Sequence, residues 1–421
     1  MHARRILCAV ATLALALSAT GCSGGGSKDS AKLNVYLNMT SGSAVYTEMK
    51  TLVDEFQKEK NIQVNLTTDS TDTYEKNMKV RMASKNLPDV ISTHGWSVLR
   101  YSPYLTALND QPWMQYMNKN LDTAMKDKDG NVYALPIEYT VTGISVNKDV
   151  LTQAGVDPAS ITTWDAFSDA LAKVKNTGKV PIAIGGKGSA AGNIADFIAS
   201  GAFTQDELKG FSAGTFDSKA WQTKVLDRIH AWTQAGYLSP DYVSATVDDM
   251  AKALAQGDAA FAFGQPTLLA TSLKLNPQAN VAFIPLPTDS GSQYLVGGEG
   301  VNAYGVSKTS SHKTEGLEFL KFLAEPDHAR ALAQAIGSYS GLTNATPDLG
   351  TLQPSYDSWV TPGKLPTQPF FDRVYLPNGI WATIISSTDS VITGQADPSA
   401  AAQAMAAQFT SLSTQKSASA G

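Results

Sequence analysis

The stretch GNVYALPIEYTVTGISVNKDVLTQAGV, Gly130–Val156, is the part of the sequence on which the fold turns. From Asn131 to Asn147 it is rich in β-branched and aromatic residues and reads as extended chain. It separates two regions that follow the same plan. Upstream, KLNVYLNM (Lys32–Met39) sets Leu33, Val35, Leu37 and Met39 at every second position, the period of a strand. Thr40–Ser43 breaks that pattern. Val45, Met49, Leu52, Val53 and Phe56 then recur at helical spacing to about Lys60. IQVNLTT (Ile62–Thr68) is a second strand, and Thr73–Asn86 a second helix with Tyr74, Met78 and Met82 four apart. PDVISTH (Pro88–His94) is a third strand. Strands alternating with helices in this way imply a parallel sheet with crossover helices.

The theme repeats downstream. TTWDAFSDALAKVKN (Thr162–Asn176) predicts a helix with a capping pair at Thr162 and Asp165. VPIAIGG (Val180–Gly186) predicts a buried strand. WQTKVLDRIHAWTQAG (Trp221–Gly236) predicts a helix stopped by Gly236. Asp248–Gly264 turns from helix into a strand at Ala259–Phe263, and VAFIPLP (Val281–Pro287) and VNAYGVSK (Val301–Lys308) are further strands. Beyond His312 the pattern is mostly helical, and 413–421 reads as a disordered tail.

The first 21 residues stand apart from this body. Arg4 and Arg5 precede an apolar run, Ile6–Leu17, of about a dozen residues, short of the ~20 that span a bilayer. This is the layout of a secretory signal peptide. The small residues Ser18–Gly21 before Cys22 resemble a bacterial lipobox, although Ala19 stands where Leu is commonest. That resemblance implies cleavage before Cys22, lipidation of its sulfur, and a flexible Gly/Ser tether over 22–31. The other cysteine, Cys8, falls in the part removed, so no disulfide is expected. The formal net charge is −5, and no concentrated basic face argues for nucleic acid.

Several segments, taken in order, resemble the extracellular solute-binding proteins of ABC importers, the group that includes maltose-binding protein. LPDVISTHGW (Leu87–Trp96) is similar to a strand and loop that the family places at its cleft. Gly130–Val156 is similar to its most recognisable stretch, with Val146 where Tyr is usual. TTWDAF, ALAQGDAAFAFGQ (Ala253–Gln265), the run from Val296 to Leu332 and VITGQADPSAAAQAM (Val391–Met405) continue the match. The resemblance implies an α/β, two-lobe periplasmic-binding-protein fold of type II, the Venus-flytrap kind, with hinge-crossing strands and a helical C-terminal region. One lobe would take 32–137 plus 287–349, the other 138–286 plus 350–412. It also implies a monomeric receptor outside the plasma membrane, serving a transmembrane permease and its cytoplasmic ATPase, with no cofactor and no catalysis.

The enzyme motifs present are poor ones. GFSAG (Gly210–Gly214) has the spacing of a nucleophile elbow, but TQDELK before it is not a strand. IGGKGSAAGN (Ile184–Asn193) lacks the spacing of a phosphate loop, and the histidines show no metal spacing.

A sugar presents apolar faces to aromatic rings and hydroxyls to carboxylates, amides and backbone. The candidates are residues at strand ends and lobe crossings, where α/β ligand sites form. These are Thr40 and Ser41 after the first strand, and His94 and Trp96 after the third. Glu138 and Tyr139 lie at the crossing, and Gly264 and Gln265 after Ala259–Phe263. Gly298 and Glu299 lie in a glycine-rich turn, Tyr339 and Ser340 in GSYSGL, and Asp372 and Trp381 near the late helix. With no arginine among them, the ligand is expected to be a neutral oligosaccharide rather than an anion, with a glycerol phosphodiester or polyamine as the rival. Trp164, Trp221 and Trp232 are expected in the core. Tyr101, Tyr104, Trp113 and Tyr116 would either extend the sugar site or cover the first lobe.

Overall fold

The structure is a computed structural model, and it describes residues 32–94, 98–299 and 302–419. The signal peptide, Cys22 and the tether lie outside the described residues, as does Trp96.

The quoted stretch contributes to all three sheets. Its Leu135–Pro136 is the edge of a five-stranded sheet ordered Gln63–Asp69, Lys32–Asn38, Val90–Thr93, Ala303–Val306, Leu135–Pro136. The first three strands are parallel, and Ala303–Val306 runs antiparallel to its neighbours. Glu138–Thr142 belongs to a second sheet, between Gln293–Glu299 and Tyr339–Ser340. Ile144–Asn147 is a central strand of a third, ordered Val180–Ala183, Ala259–Phe263, Ile144–Asn147, Val281–Ile284. Gly143 makes the step between the last two sheets, and only glycine fits: a Cβ there would lie 1.9 Å from the Ile284 carbonyl oxygen.

Two large apolar cores follow from this layout. The first joins the sheet of Lys32–Asn38 to Val45, Met49, Leu52, Val53 and Phe56 of the helix Ala44–Lys60, the face that the spacing predicts. The helices Lys313–Leu323 and Pro326–Ile336 close it. The second gathers the sheet of Ile144–Asn147, the helices Trp164–Asn176, Ala190–Ala202 and Val247–Gln256, and the C-terminal helices Trp381–Ile392 and Pro398–Ser419. Trp164, Trp221 and Trp232 sit in it at 3%, 0% and 2% exposure, so they are core residues. Tyr101 and Trp113 are also buried, covering the first sheet, whereas Tyr116 is exposed.

The details differ from the sequence reading in four places. The helix over Tyr74 is Thr71–Ala83 and stops early because Lys85 adopts φ 55. The cap of Trp164–Asn176 is Thr163, whose hydroxyl accepts from Ala166 N at 3.0 Å, one residue later than expected. Tyr294, Leu295 and Val296, beyond Pro287, pack in the second core. The last helix continues to Ser419, through most of the expected tail; nothing from Ser413 to Ser419 is a Gly or Pro that would stop it.

No helix among the described residues is long and apolar enough to cross a membrane. Replacing Gly143 should cost stability through the clash with Ile284. Gly143→Ala is expected to destabilise the chain by about 1–3 kcal/mol, the range for overpacking, and an unchanged melting temperature would refute this reading of the step.

Candidate functional site

The C-terminal end of Val90–Thr93 delivers His94 to the surface of the first core, where it stays only 6% exposed. The helix Thr71–Ala83 lies across it and is held there by Tyr74, whose hydroxyl donates to Ser92 O at 2.6 Å. The next residue, Glu75, receives the Tyr101 hydroxyl at 3.2 Å and an Arg100 N–H at 2.6 Å. Its Oε1 lies 3.1 Å from His94 Nε2. Burial pushes the Glu75 carboxyl up, but the bonds and charges of His94 and Arg100 outweigh it and hold the group down at about 2. An ionised carboxylate only accepts, so Nε2 of His94 must carry the shared hydrogen.

The second core brings up the other wall. On the helix Ala190–Ala202, Gly192 and Asp196 are four residues apart and share a face. The Trp381 ring tip rests on Gly192, where a Cβ would come within 2.8 Å of Cη2. Asp196 is buried, and its carboxylate accepts the backbone N–H of Asp372 at 2.8 Å. One helix face thus seats both Trp381 and Asp372. Arg373 Nε is 3.8 Å from the Asp372 carboxylate, and its guanidinium covers the Phe370 ring at 4.1 Å. Burial raises the Asp372 carboxyl, opposed by the charges of Arg373 and of His94 on the first core.

A third group lies where the chain passes between cores. Glu138 is fully buried, and its Oε1 accepts from Thr140 Oγ1 at 3.2 Å, Asn302 N at 2.9 Å and Asn302 Nδ2 at 3.1 Å. In this conformation it braces the two crossing segments against each other. Tyr139 packs against both cores, and pairs with Tyr339 as Glu138 does with Ser340. The Tyr339 hydroxyl meets Thr361 Oγ1 at 2.9 Å, and the Ser340 hydroxyl accepts from Leu342 N at 3.1 Å. Gly298 and Glu299 continue the same sheet, with Glu299 opposite Thr140.

Gly264 is packed against Leu268, and Gln265 caps the helix Pro266–Leu275 with a buried Oε1 that has no hydrogen-bond partner. Thr40 and Ser41 are exposed in the turn before the helix Ala44–Lys60.

The structure thus brings together His94, Asp372 and Trp381, and separately Glu138, Tyr139, Gly298, Glu299, Tyr339 and Ser340. Glu75, Arg100, Asp196, Arg373 and Asn302 were missed. Arg100 and Arg373 stand beside the expected residues, each opposite a carboxylate. Only the fold makes these neighbours visible; in the sequence, Glu75 is marked only by its place beside Tyr74. A cavity of about 550 Å³ opens elsewhere on the second core, between Lys175–Pro181, Leu238–Val243 and Ile392–Thr393, and none of the proposed ligand residues lines it.

Two cores joined by crossing strands, with facing side chains at the gap, define a two-lobe binding protein. The chain belongs to the bacterial extracellular solute-binding protein family, whose model matches residues 40–330. Over 375 residues it is 33% identical to the melibiose/raffinose/stachyose-binding protein MelE of Bacillus subtilis, covering 86% of each chain. A sugar transporter protein from Bacillus licheniformis, solved in complex with stachyose, aligns with a TM-score of 0.83 at 26% identity, over 90% of this chain and 100% of that one. The binding protein MsmE of Bacillus subtilis, solved in an open conformation, aligns at 0.77 and 29% identity, over 92% and 98%.

Glu75 supplies a pH test. Its carboxyl is depressed in the folded state, so its contribution to stability is present above the unfolded value of about 4.3 and is lost as pH falls toward about 2. Glu75→Gln should lower the unfolding free energy at pH 7 by about 1–3 kcal/mol, read as a lower melting temperature, and the gap from wild type should close as the pH is lowered through that window. A gap independent of pH would show that the charge is not what matters.

Proposed function

We propose that this chain is the capture component of an ABC importer and that its ligand is a neutral oligosaccharide of the kind that MelE is named for. The observation that carries the reading is the 33% identity to that protein over 86% of both chains. The site agrees in chemistry. Trp381 offers a ring face, while Asp372, the Gln265 acceptor and His94 offer hydroxyl partners. Arg100 and Arg373 are each neutralised by a carboxylate, which disfavours an anionic ligand. Polyamines remain the second reading because of the carboxylates Glu138, Glu299 and Asp372.

In this reading, one lobe comprises 32–137 and about 302–345, and the other 138–299 and 349–412. The ligand sits in the gap and stabilises closure, the permease reads the closed form, and no bond of the sugar is broken. Cys22 holds the receptor on the outer face of the membrane through lipid.

Thermal shift against melibiose, raffinose, stachyose and maltodextrins, with spermidine and glycerophosphodiesters as controls, tests the ligand. Stabilisation of about 2.7 kcal/mol is expected at a hundred times Kd, for sugars only, with the sugar recovered intact. A shift with a charged control alone would overturn the ligand class, and a hydrolysed sugar would overturn the receptor role. The anchor has its own test: Cys22→Ser should move the protein from the membrane fraction to the medium, and continued membrane association would remove the anchor from the account.

A further inference from the structure

One polar contact joins the two cores away from both the crossing strands and the His94–Asp372 gap. Lys274 lies near the end of the helix Pro266–Leu275, whose Leu268 and Leu269 are in the second core. Its ammonium donates to Gly42 O at 2.6 Å and to Thr47 Oγ1 at 3.3 Å. Both acceptors belong to the first core's turn and helix, 232 and 227 residues away in the chain.

The acceptor side is preorganised. Ser43 N donates to Thr40 O at 3.2 Å, closing a turn over Thr40–Ser43. Gly42 takes φ +85 within it, a value that suits glycine. Ser43 also caps the helix Ala44–Lys60 through Tyr46 N, and the Thr47 hydroxyl donates to Ser43 O at 3.0 Å, leaving its lone pairs turned to Lys274. The donor side is fixed too. Ser272, two residues before the lysine, bonds to Ala251 O at 2.9 Å and to Leu268 O at 3.0 Å.

We propose that Lys274 is an interlobe latch: it holds the Thr40–Ser43 turn against the second core and so positions Thr40 and Ser41 for the ligand. Rotation of one core about the crossing strands moves these partners apart, because they sit on different rigid bodies. A long, exposed lysine that bonds a carbonyl and a hydroxyl can release and reform without leaving a buried charge. Lys274 is a positioning residue and need not touch the ligand. The proposal rests on the receptor reading for its functional meaning, but not for its physical test.

Lys274→Met and Lys274→Arg separate the possibilities. In the protein without ligand, hydrogen exchange of residues 40–47 should quicken in Lys274→Met, with the melting temperature close to wild type, and Lys274→Arg should restore protection. With raffinose or stachyose as probe, the dissociation rate should rise about two- to fivefold in Lys274→Met, as suits one exposed polar contact, with the association rate little changed. Wild-type exchange at 40–47 in Lys274→Met would overturn the latch even if no sugar binds. A failure of every sugar to bind, with exchange altered as expected, would overturn the ligand class and leave the latch standing. A large loss of melting temperature without change in exchange or dissociation would make Lys274 a structural residue and overturn the proposal.

Discussion

The architecture depends on how the chain passes back and forth between two cores. Ile137 N donates to Asn302 O at 3.0 Å, so the outgoing and returning segments bond to each other at the point of passage. Beside that bond, the Glu138 carboxylate takes three donors, two of them from Asn302. A carboxylate taken wholly out of water costs several kcal/mol unless its lone pairs are met. The buried carboxyl therefore constrains the crossing: the segments must stay in register, or it is left without these donors. Glu138 and Asn302 thus tie the two segments together at the point of passage.

The same accounting organises the walls of the gap. Charges enter as opposed pairs, Glu75 with Arg100 on the first core and Asp372 with Arg373 on the second. Their fields cancel at a distance but leave hydrogen-bonding atoms in fixed directions. Such a surface suits a ligand with many hydroxyls and no net charge, because it orients donors and acceptors without demanding a counter-ion.

Much of the fold was legible in the sequence because periodicity reports local burial directly. The stripe Val45, Met49, Leu52, Val53 and Phe56 is the buried face of its helix, and the alternation from Leu33 to Leu37 is the first strand. The family resemblance supplied what periodicity cannot, the order in which the sheets share the chain. The reading was weakest where a local rule met a tertiary one. Thr162 and Thr163 are equally good caps in the sequence, and the backbone geometry chose the second. Of the candidate site, residues at strand ends such as His94 could be named from position alone. Their partners could not, since Glu75 and Arg100 are 25 residues apart, and Asp196 and Asp372 are 176 apart. Asp196 looks like an ordinary polar residue of an Ala-rich helix until a second segment docks on it.

The seat of Trp381 on Gly192 has an optical consequence. Trp113, Trp164, Trp221 and Trp232 are sealed in the cores and would emit as a constant background, whatever occupies the gap. Trp381 is only partly covered and stands at the wall. Its indole, seated on Gly192, is a native fluorophore whose emission, with that of the partly buried Trp359, reports on surroundings outside the sealed cores and needs no added label.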